Sequence, residues 1–160
     1  SLTSNDEVKL IKVESPEQVC REIQKNLPVK VAIFSAAVAD FKVIEKNDIK
    51  IKKKNELTIK LEKNVDILNY ISNHNSMRPK LVIGFAAETN NLEDNAIDKL
   101  KNKNCDMIIA NDVSNKNIGF DSDLNEVTIF YKNNKKEKLF KKNKSLISEE
   151  IVERINNQLN

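Results

Sequence analysis

VKVAIFSAA, residues Val29–Ala37, and KLVIGFAA, residues Lys80–Ala87, are near-continuous apolar runs of strand length. A half-exposed strand alternates apolar with polar residues, so unbroken runs predict strands buried on both faces, as in a parallel sheet. Upstream of the first run, Val8–Val13 (VKLIKV) predicts another strand. Between them Ser15-Pro16-Glu17 starts a helix, with Ser15 as N-cap and Pro16 in the first turn, where its missing N–H costs nothing. Gln18 completes an S-x-x-Q capping box, and Leu27-Pro28 ends the helix after Asn26. The chain therefore opens β-α-β.

Beyond Ala37 the pattern continues. A polar loop is expected over Asp40–Asp48. Ile49–Lys53 and Glu56–Leu61 alternate Ile/Leu with Lys/Thr across Lys54-Asn55, which predicts a two-stranded hairpin with one polar face. Asp66–Asn73 reads as a short helix. Asn90 or Asn91 caps a helix from Leu92 to Lys103, acidic at its start (Glu93, Asp94) and basic toward its end (Lys99, Lys101, Lys103), as the helix dipole favours. Asp106–Ala110 is a strand, Asn111–Asp123 a loop, and Val127–Tyr131 with Lys138–Phe140 a second hairpin around Asn133-Asn134. Ile147–Leu159 closes the chain as an amphipathic helix. Strands alternating with helices predict an α/β fold, a Rossmann-like doubly wound, mainly parallel sheet with a protruding β-hairpin flap. No repeat or linker divides the 160 residues, so a single domain, 1–160, is expected. Ligands of such sheets sit at the carboxyl ends of the strands, here Ala36–Asp40, Phe85–Thr89 and Ala110–Val113.

Composition narrows the function classes. No apolar run approaches the about 20 residues of a membrane helix, and no signal peptide is evident, so no membrane partner is expected. Net charge is +3, from 24 Lys but only 3 Arg (Arg21, Arg78, Arg154), dispersed among Asn; a nucleic-acid binder clusters its basic residues, so no nucleic-acid partner is expected. Cys20 and Cys105 have neither metal-ligand spacing nor the density of a disulfide framework and read as reduced thiols in a cytoplasmic protein. Glycine occurs only at Gly84 and Gly119, so no phosphate-cradling loop of the GxGxxG or GxxxxGK[ST] kind exists in this chain.

Several residues could carry chemistry. Ser35, Ala36, Ala37 and Ala39 leave room for a flat ligand, with Asp40 at the mouth or simply serving as a turn residue. Strand alternation places Lys50 and Lys52 on one face of the first hairpin, either solvated or closing over a polyphosphate. Gly84 is expected to permit close ligand approach, and Phe85 either packs on a base or fills the core. Lys99 and Lys103, four apart on one helix face, repel unless an anion lies between them. His74, the sole histidine, has no partner set and no assigned role.

Read together and in order, SAAVADF (Ser35–Phe41), KIKK (Lys50–Lys53), ELTIKL with KNVDIL (Glu56–Leu68), GFAAET (Gly84–Thr89), DMIIANDV (Asp106–Val113) and GFDSDLNEVTI (Gly119–Ile129) resemble the phosphopantothenate–cysteine ligase of coenzyme A biosynthesis, often fused in bacteria to a flavin-dependent decarboxylase. The resemblance covers nearly the whole chain.

It implies a CTP-dependent ligation. The carboxylate of 4'-phosphopantothenate attacks the α-phosphate of CTP, pyrophosphate leaves, and the amine of L-cysteine attacks the acyl-cytidylate. The family's nucleotide-binding positions fall on Asp40, Lys50, Val65, Asp66, Ile67, Leu68, Phe85, Lys99 and Lys103. By resemblance Lys50 is the catalytic residue, stabilising charge on the α-phosphate, and Lys99 and Lys103 hold the nucleotide. Asp40 fixes either the base or a Mg2+ ion. Val65 stands where the family usually has proline. Flavin is not expected in this part, and a homodimer through the 49–61 hairpin is. The family also normally begins with a Gly-rich strand–turn and a segment of the type SNxSSGxMG, which this chain is expected to lack, leaving a strand edge and a helix-docking face uncovered. That segment, or the decarboxylase, could be encoded separately.

Overall fold

The structure, a computed structural model, describes residues 8–44, 58–114 and 123–160. The chain divides into two compact units, one of Ser1–Asn26 with Ala37–Ile67 and one of Leu27–Ala36 with Leu68–Asn160.

The larger unit is built on a five-stranded mixed sheet of β1 (Val31–Phe34), β4 (Leu81–Glu88), β5 (Met107–Asp112), β6 (Leu124–Tyr131) and β7 (Lys136–Asn143), in that spatial order. β1, β4 and β5 run parallel, and β6 and β7 complete the sheet antiparallel. Helix α3 (Leu92–Asn102) makes the crossover from β4 to β5, and α4 (Lys144–Leu159) follows β7. The chain thus winds to both faces, as the α/β reading predicts.

Strand alternation sends successive side chains to opposite faces, so the sheet carries two cores. On the α4 face lie Leu81, Ile83, Met107, Ile109, Val127, Ile129, Tyr131 and Leu139, met by the i, i+4 stripe Ile147–Ile151–Ile155. On the α3 face lie Val82, Ala86, Ile108, Ala110 and Phe130, met by Ala96 and Leu100. Asn143 starts α4, its side-chain oxygen accepting from the Ser145 N–H.

The base of the parallel strands is fixed by Arg78. Its guanidinium donates to the carbonyls of Ser72, Pro79 and Asn104 and to Asp106 Oδ2 at 2.7–2.9 Å. The same Asp106 oxygen accepts from the Val82 N–H. One side chain therefore ties the end of α2 (Ile67–Ser72), the start of β4 and the turn after α3.

The smaller unit holds α1 (Pro16–Asn26) and the antiparallel pair β2 (Phe41–Val43) and β3 (Leu61–Lys63). Ser15 Oγ accepts from the Gln18 N–H at 3.2 Å, as the capping box requires, while Gln18 Oε1 reaches the N–H of Glu14 rather than that of Ser15. Lys42 pairs with Glu17 at 2.8 Å and Glu62 at 3.5 Å. The Lys42 hydrogen bond holds the Glu17 carboxyl down to about 2.

Five expectations need correction. Val8–Val13 is not a strand; among the described residues it pairs with none, and Val8 and Leu10 are exposed. Alternation supplies a strand's faces but not a neighbour's hydrogen bonds. The run Val29–Ala37 yields only Val31–Phe34, and it is not buried on both faces, since Ile33 is 50% exposed. Among the described residues β1 is an edge strand, with a neighbour on one side only. The expected loop Asp40–Asp48 begins as strand β2, because Phe41–Val43 finds a partner in Leu61–Lys63, beyond the predicted end of the hairpin. Asn111 and Asp112, expected in a loop, extend β5 against Ala87 and Glu88. Of the expected first hairpin, Ile49–Lys53 with Glu56–Leu61, residues 49–57, with Lys50, lie outside the described residues, as does 115–122; of its described part, Thr58–Lys60 form no strand and Leu61 begins β3.

Candidate nucleotide site

In the larger unit the carboxyl ends of β4 and β5 lie side by side, with Ala87 opposite Asn111 and Glu88 opposite Asp112. β1 pairs with β4 only as far as Phe34 opposite Gly84. One residue further along β4, Lys99 Nζ reaches across from α3 and donates to the carbonyl oxygen of Phe85 at 2.8 Å. Two residues that the sequence proposes for nucleotide contact are thus brought together. An ammonium carries three N–H donors, so this bond leaves two for an anion.

Phe85 resolves into two halves. Its ring is half-buried and packs on the α4 core with Val31 and Leu159. Its carbonyl points to Lys99. The ring fills the core, and the main chain faces the site.

Lys103 caps the end of α3, its N–H donating to the Lys99 carbonyl. Its own carbonyl accepts a short hydrogen bond from Ser72 Oγ, and Ser72 is fully buried. The lysine backbone is therefore anchored to the end of α2, beside the Arg78 clamp. Further along the same helix flank, Asn95 Nδ2 donates to Glu88 Oε2 at 2.8 Å and to the Asn90 carbonyl at 3.2 Å. Asn95, Lys99 and Lys103 form an i, i+4, i+8 polar stripe, a row that faces one way along a helix.

Gly84 does not serve ligand approach. A Cβ built there would lie 2.9 Å from Ile108 Cδ1, which real Cβ contacts essentially never show, and 3.0 Å from Leu68 Cδ2, tighter than nearly all of them. The glycine exists so that Leu68 of α2 can pack directly on the sheet. Leu68, another proposed nucleotide contact, has its side chain committed to the α3-face core.

In the smaller unit a different pair converges. Asp40 is exposed, and its carbonyl accepts from the Asn64 N–H at 2.8 Å. Asn64 Nδ2 donates to the Ala39 carbonyl, and Asn64 Oδ1 accepts from the Val65 N–H. The segment leading to Asp40 and the start of the Val65–Leu68 stretch are therefore pinned together by one asparagine. Val65 and Asp66 are exposed, and Ile67 is buried. No group of three or more His, Cys, Asp or Glu side chains suited to a metal occurs among the described residues. Asp40 alone fits Mg2+ only as one ligand of an ion that brings phosphate oxygens with it, the usual way this cation is held.

Sequence reasoning missed Asn64 and Asn95, and it placed Asn111 at a ligand-facing strand end, Ala110–Val113, without giving it a role. Asn111 Oδ1 is buried and accepts no hydrogen bond from the described residues. In a chain with 23 asparagines, the residue type alone signals nothing.

Comparison with known proteins agrees with this geometry. Residues 1–159 match the family described as DNA/pantothenate metabolism flavoprotein C-terminal domain. The chain is 39% identical over 157 residues to the coenzyme A biosynthesis bifunctional protein CoaBC of Haemophilus influenzae, covering 97% of this chain and 38% of that protein. It is 41% identical over 149 residues to the protein of the same name from Borreliella burgdorferi, covering 91% and 37%. It thus spans well under half the length of these relatives. Among solved structures, the C-terminal domain of a CoaBC protein superposes with a TM-score of 0.76 at 33% identity, over 99% of this chain and 70% of that one. A sheet whose parallel strands present Phe85 to Lys99, and a match from end to end, lead to one conclusion: the chain belongs to the family of CoaBC C-terminal, DNA/pantothenate metabolism flavoprotein domains.

Proposed function

We propose that this chain carries the nucleotide-handling part of a CTP-dependent ligase of coenzyme A biosynthesis, joining 4'-phosphopantothenate to L-cysteine through an acyl-cytidylate. The observation that carries the reading is the Lys99 ammonium held on the Phe85 carbonyl at the end of the parallel strands, one turn from Lys103. Membership of the CoaBC C-terminal family supports coenzyme A biosynthesis as the setting, and the motif resemblance supports ligation as the reaction.

The chemistry asks for positive charge around a triphosphate and a departing pyrophosphate. Lys99 meets this with two N–H donors beyond the one given to Phe85. Lys103 adds a second cation on the same helix flank, and a bound anion relieves the repulsion between the two. Lys50 is the residue proposed to stabilise charge on the α-phosphate as the carboxylate attacks. Asp40, with its backbone fixed by Asn64, is proposed to hold either the base or a Mg2+ ion on the phosphates, and Val65, Asp66, Ile67 and Leu68 to border the nucleotide. Mg2+, when bound, supplies charge neutralisation on the phosphate oxygens. No flavin is proposed for this part. A homodimer through the 49–61 hairpin, a cytoplasmic setting and a separately encoded decarboxylase or N-terminal ligase segment belong to the same proposal. No helix among the described residues is long and apolar enough to cross a membrane.

A second reading is a chain that binds CTP without turnover. It is favoured by the glycine count: Gly84 is used in packing, and the only other glycine is Gly119, so no phosphate-cradling loop can be assembled from this sequence. Calorimetric titration with CTP and Mg2+, beside pyrophosphate release in the presence of 4'-phosphopantothenate and L-cysteine, separates the two. Binding with release supports the ligase, binding without release the binding-only reading, and equal heats for every nucleoside triphosphate overturn both.

A further inference from the structure

Ser72 ends α2 and is fully buried. Burying a hydroxyl is unfavourable unless it is hydrogen-bonded, and an alanine in its place would leave nothing to satisfy. A serine in a helix commonly bonds back to its own preceding turn. Here the Asn69 carbonyl, three residues back, lies 3.2 Å away, but the shorter bond goes to the carbonyl of Lys103, 31 residues on, at the end of α3. The same oxygen accepts from Asn73 Nδ2 at 3.3 Å. Joining α2 to the turn after α3 does not require this bond. Arg78 already donates to the Ser72 carbonyl at 2.7 Å and to the Asn104 carbonyl at 2.9 Å, and Asn104 Nδ2 donates to the Ser72 carbonyl at 3.2 Å. Those ties reach Asn104 and stop one residue short of Lys103. The last carbonyls of a helix have no partner within it. Those of Lys99, Leu100 and Lys101 accept from the N–H groups of Lys103, Cys105 and Asn104. That of Lys103 accepts from Ser72, with only a weak thiol contact from Cys105 at 3.8 Å beside it. Lys103 is thus held at its N–H by Lys99 and at its carbonyl by Ser72, and a backbone held at both ends fixes the direction in which its side chain leaves the helix.

We propose that Ser72 is a positioning residue for nucleotide binding: its hydroxyl keeps Lys103 in register with Lys99, so that both ammonium groups address the same polyphosphate. The proposal rests on the reading of Lys99 and Lys103 as nucleotide contacts. Ser72, with no exposed surface, does not touch the ligand and acts only through Lys103. Two cations four residues apart on one helix repel, and nothing in that repulsion favours the pose that suits an anion. A helix also frays at its last residue. A fixed carbonyl opposes both effects before the nucleotide arrives, which reduces the ordering cost of binding.

The test is a double-mutant cycle on CTP affinity, measured by calorimetry with Mg2+ on the full chain and expressed per folded molecule, with urea unfolding in parallel. The four proteins are the parent, Ser72→Ala, Lys103→Met and the double variant. Lys103→Met is expected to weaken CTP about tenfold and Ser72→Ala about threefold to tenfold. The double variant is expected to bind no more weakly than Lys103→Met, because without the ammonium there is nothing to position. A role confined to stability predicts otherwise: Ser72→Ala would lower the urea midpoint and leave CTP affinity untouched, or weaken it by the same factor with and without Lys103. Either result overturns the proposal. Ser72→Cys, similar in shape and a weaker donor, keeps the cycle measurable should the alanine variant not fold, with the same non-additivity expected at smaller amplitude. If Lys103→Met leaves CTP binding unchanged, the nucleotide assignment of Lys103 fails and the role of Ser72 falls with it. If Lys103→Met weakens CTP while the Ser72 variants do not, the assignment stands and only the positioning role is lost. A parent that gives no CTP heat defeats the nucleotide reading as a whole.

Discussion

The two faces of the same sheet are built for different ends. On the α4 face, long aliphatic side chains interlock: Ile83, Met107, Ile109 and Ile129 are fully buried against Ile147, Ile151 and Ile155. On the α3 face small residues, Ala86, Ala96, Ala110, Cys105 and a glycine against which Leu68 seats, are interspersed with Val82, Leu100, Ile108 and Phe130. Apolar burial stabilises roughly in proportion to area, so the first face contributes most of the packing energy. The second draws α2 and α3 close enough for Lys99 to reach a strand carbonyl.

The comparison breaks most visibly at Ile109→Ala. Removing a fully buried isoleucine from the thick face is expected to cost about 2–5 kcal/mol in urea unfolding, with CTP affinity per folded molecule unchanged. A loss below about 1 kcal/mol would show that the α4 face is not the main core. Gly84→Ala tests the thin face. Overpacking against Leu68 and Ile108 is expected to cost about 1–3 kcal/mol. In a Leu68→Ala background the same substitution is expected to cost less, by about 0.5–3 kcal/mol of coupling; strict additivity would mean that close packing is not the reason for the glycine. Lys99→Met sharpens the contrast at the small end. Loss of one partly exposed hydrogen bond is expected to change stability by no more than about 1 kcal/mol, while calorimetry shows CTP bound about tenfold more weakly. A large stability loss with unchanged CTP affinity would make Lys99 a structural brace.

How much of this the sequence discloses depends on how local the determining interactions are. The helix start at Ser15, the buried strand at Leu81–Glu88 and the closing helix were legible because caps and periodicity act within a few residues; α3 begins at Leu92 as expected, but Asn91 before it, at φ 47°, makes no side-chain capping hydrogen bond. The register of Phe41–Val43 with Leu61–Lys63 was not, since it joins segments distant in sequence. Burial of the Val29–Ala37 run was overestimated for a related reason: apolar content does not reveal whether a strand lies at an edge. Within the candidate site, the pairing of Lys99 with Phe85 rests on two elements meeting, and the sequence pointed to the residues but not to the carbonyl as the meeting point. Gly84 was read as room for a ligand, because a glycine after a buried strand looks the same whether a ligand or a leucine fills the space.

Phe85 has a practical corollary. Its benzyl group and its peptide oxygen answer to opposite sides of the sheet, so replacing the side chain interrogates only the hydrophobic half. A mutational survey of this protein would score the position as a packing residue and stop there. Exposing the other half takes a change to the chain itself, such as an ester in place of the amide that follows Phe85, which weakens the oxygen as an acceptor while every side chain stays as it is.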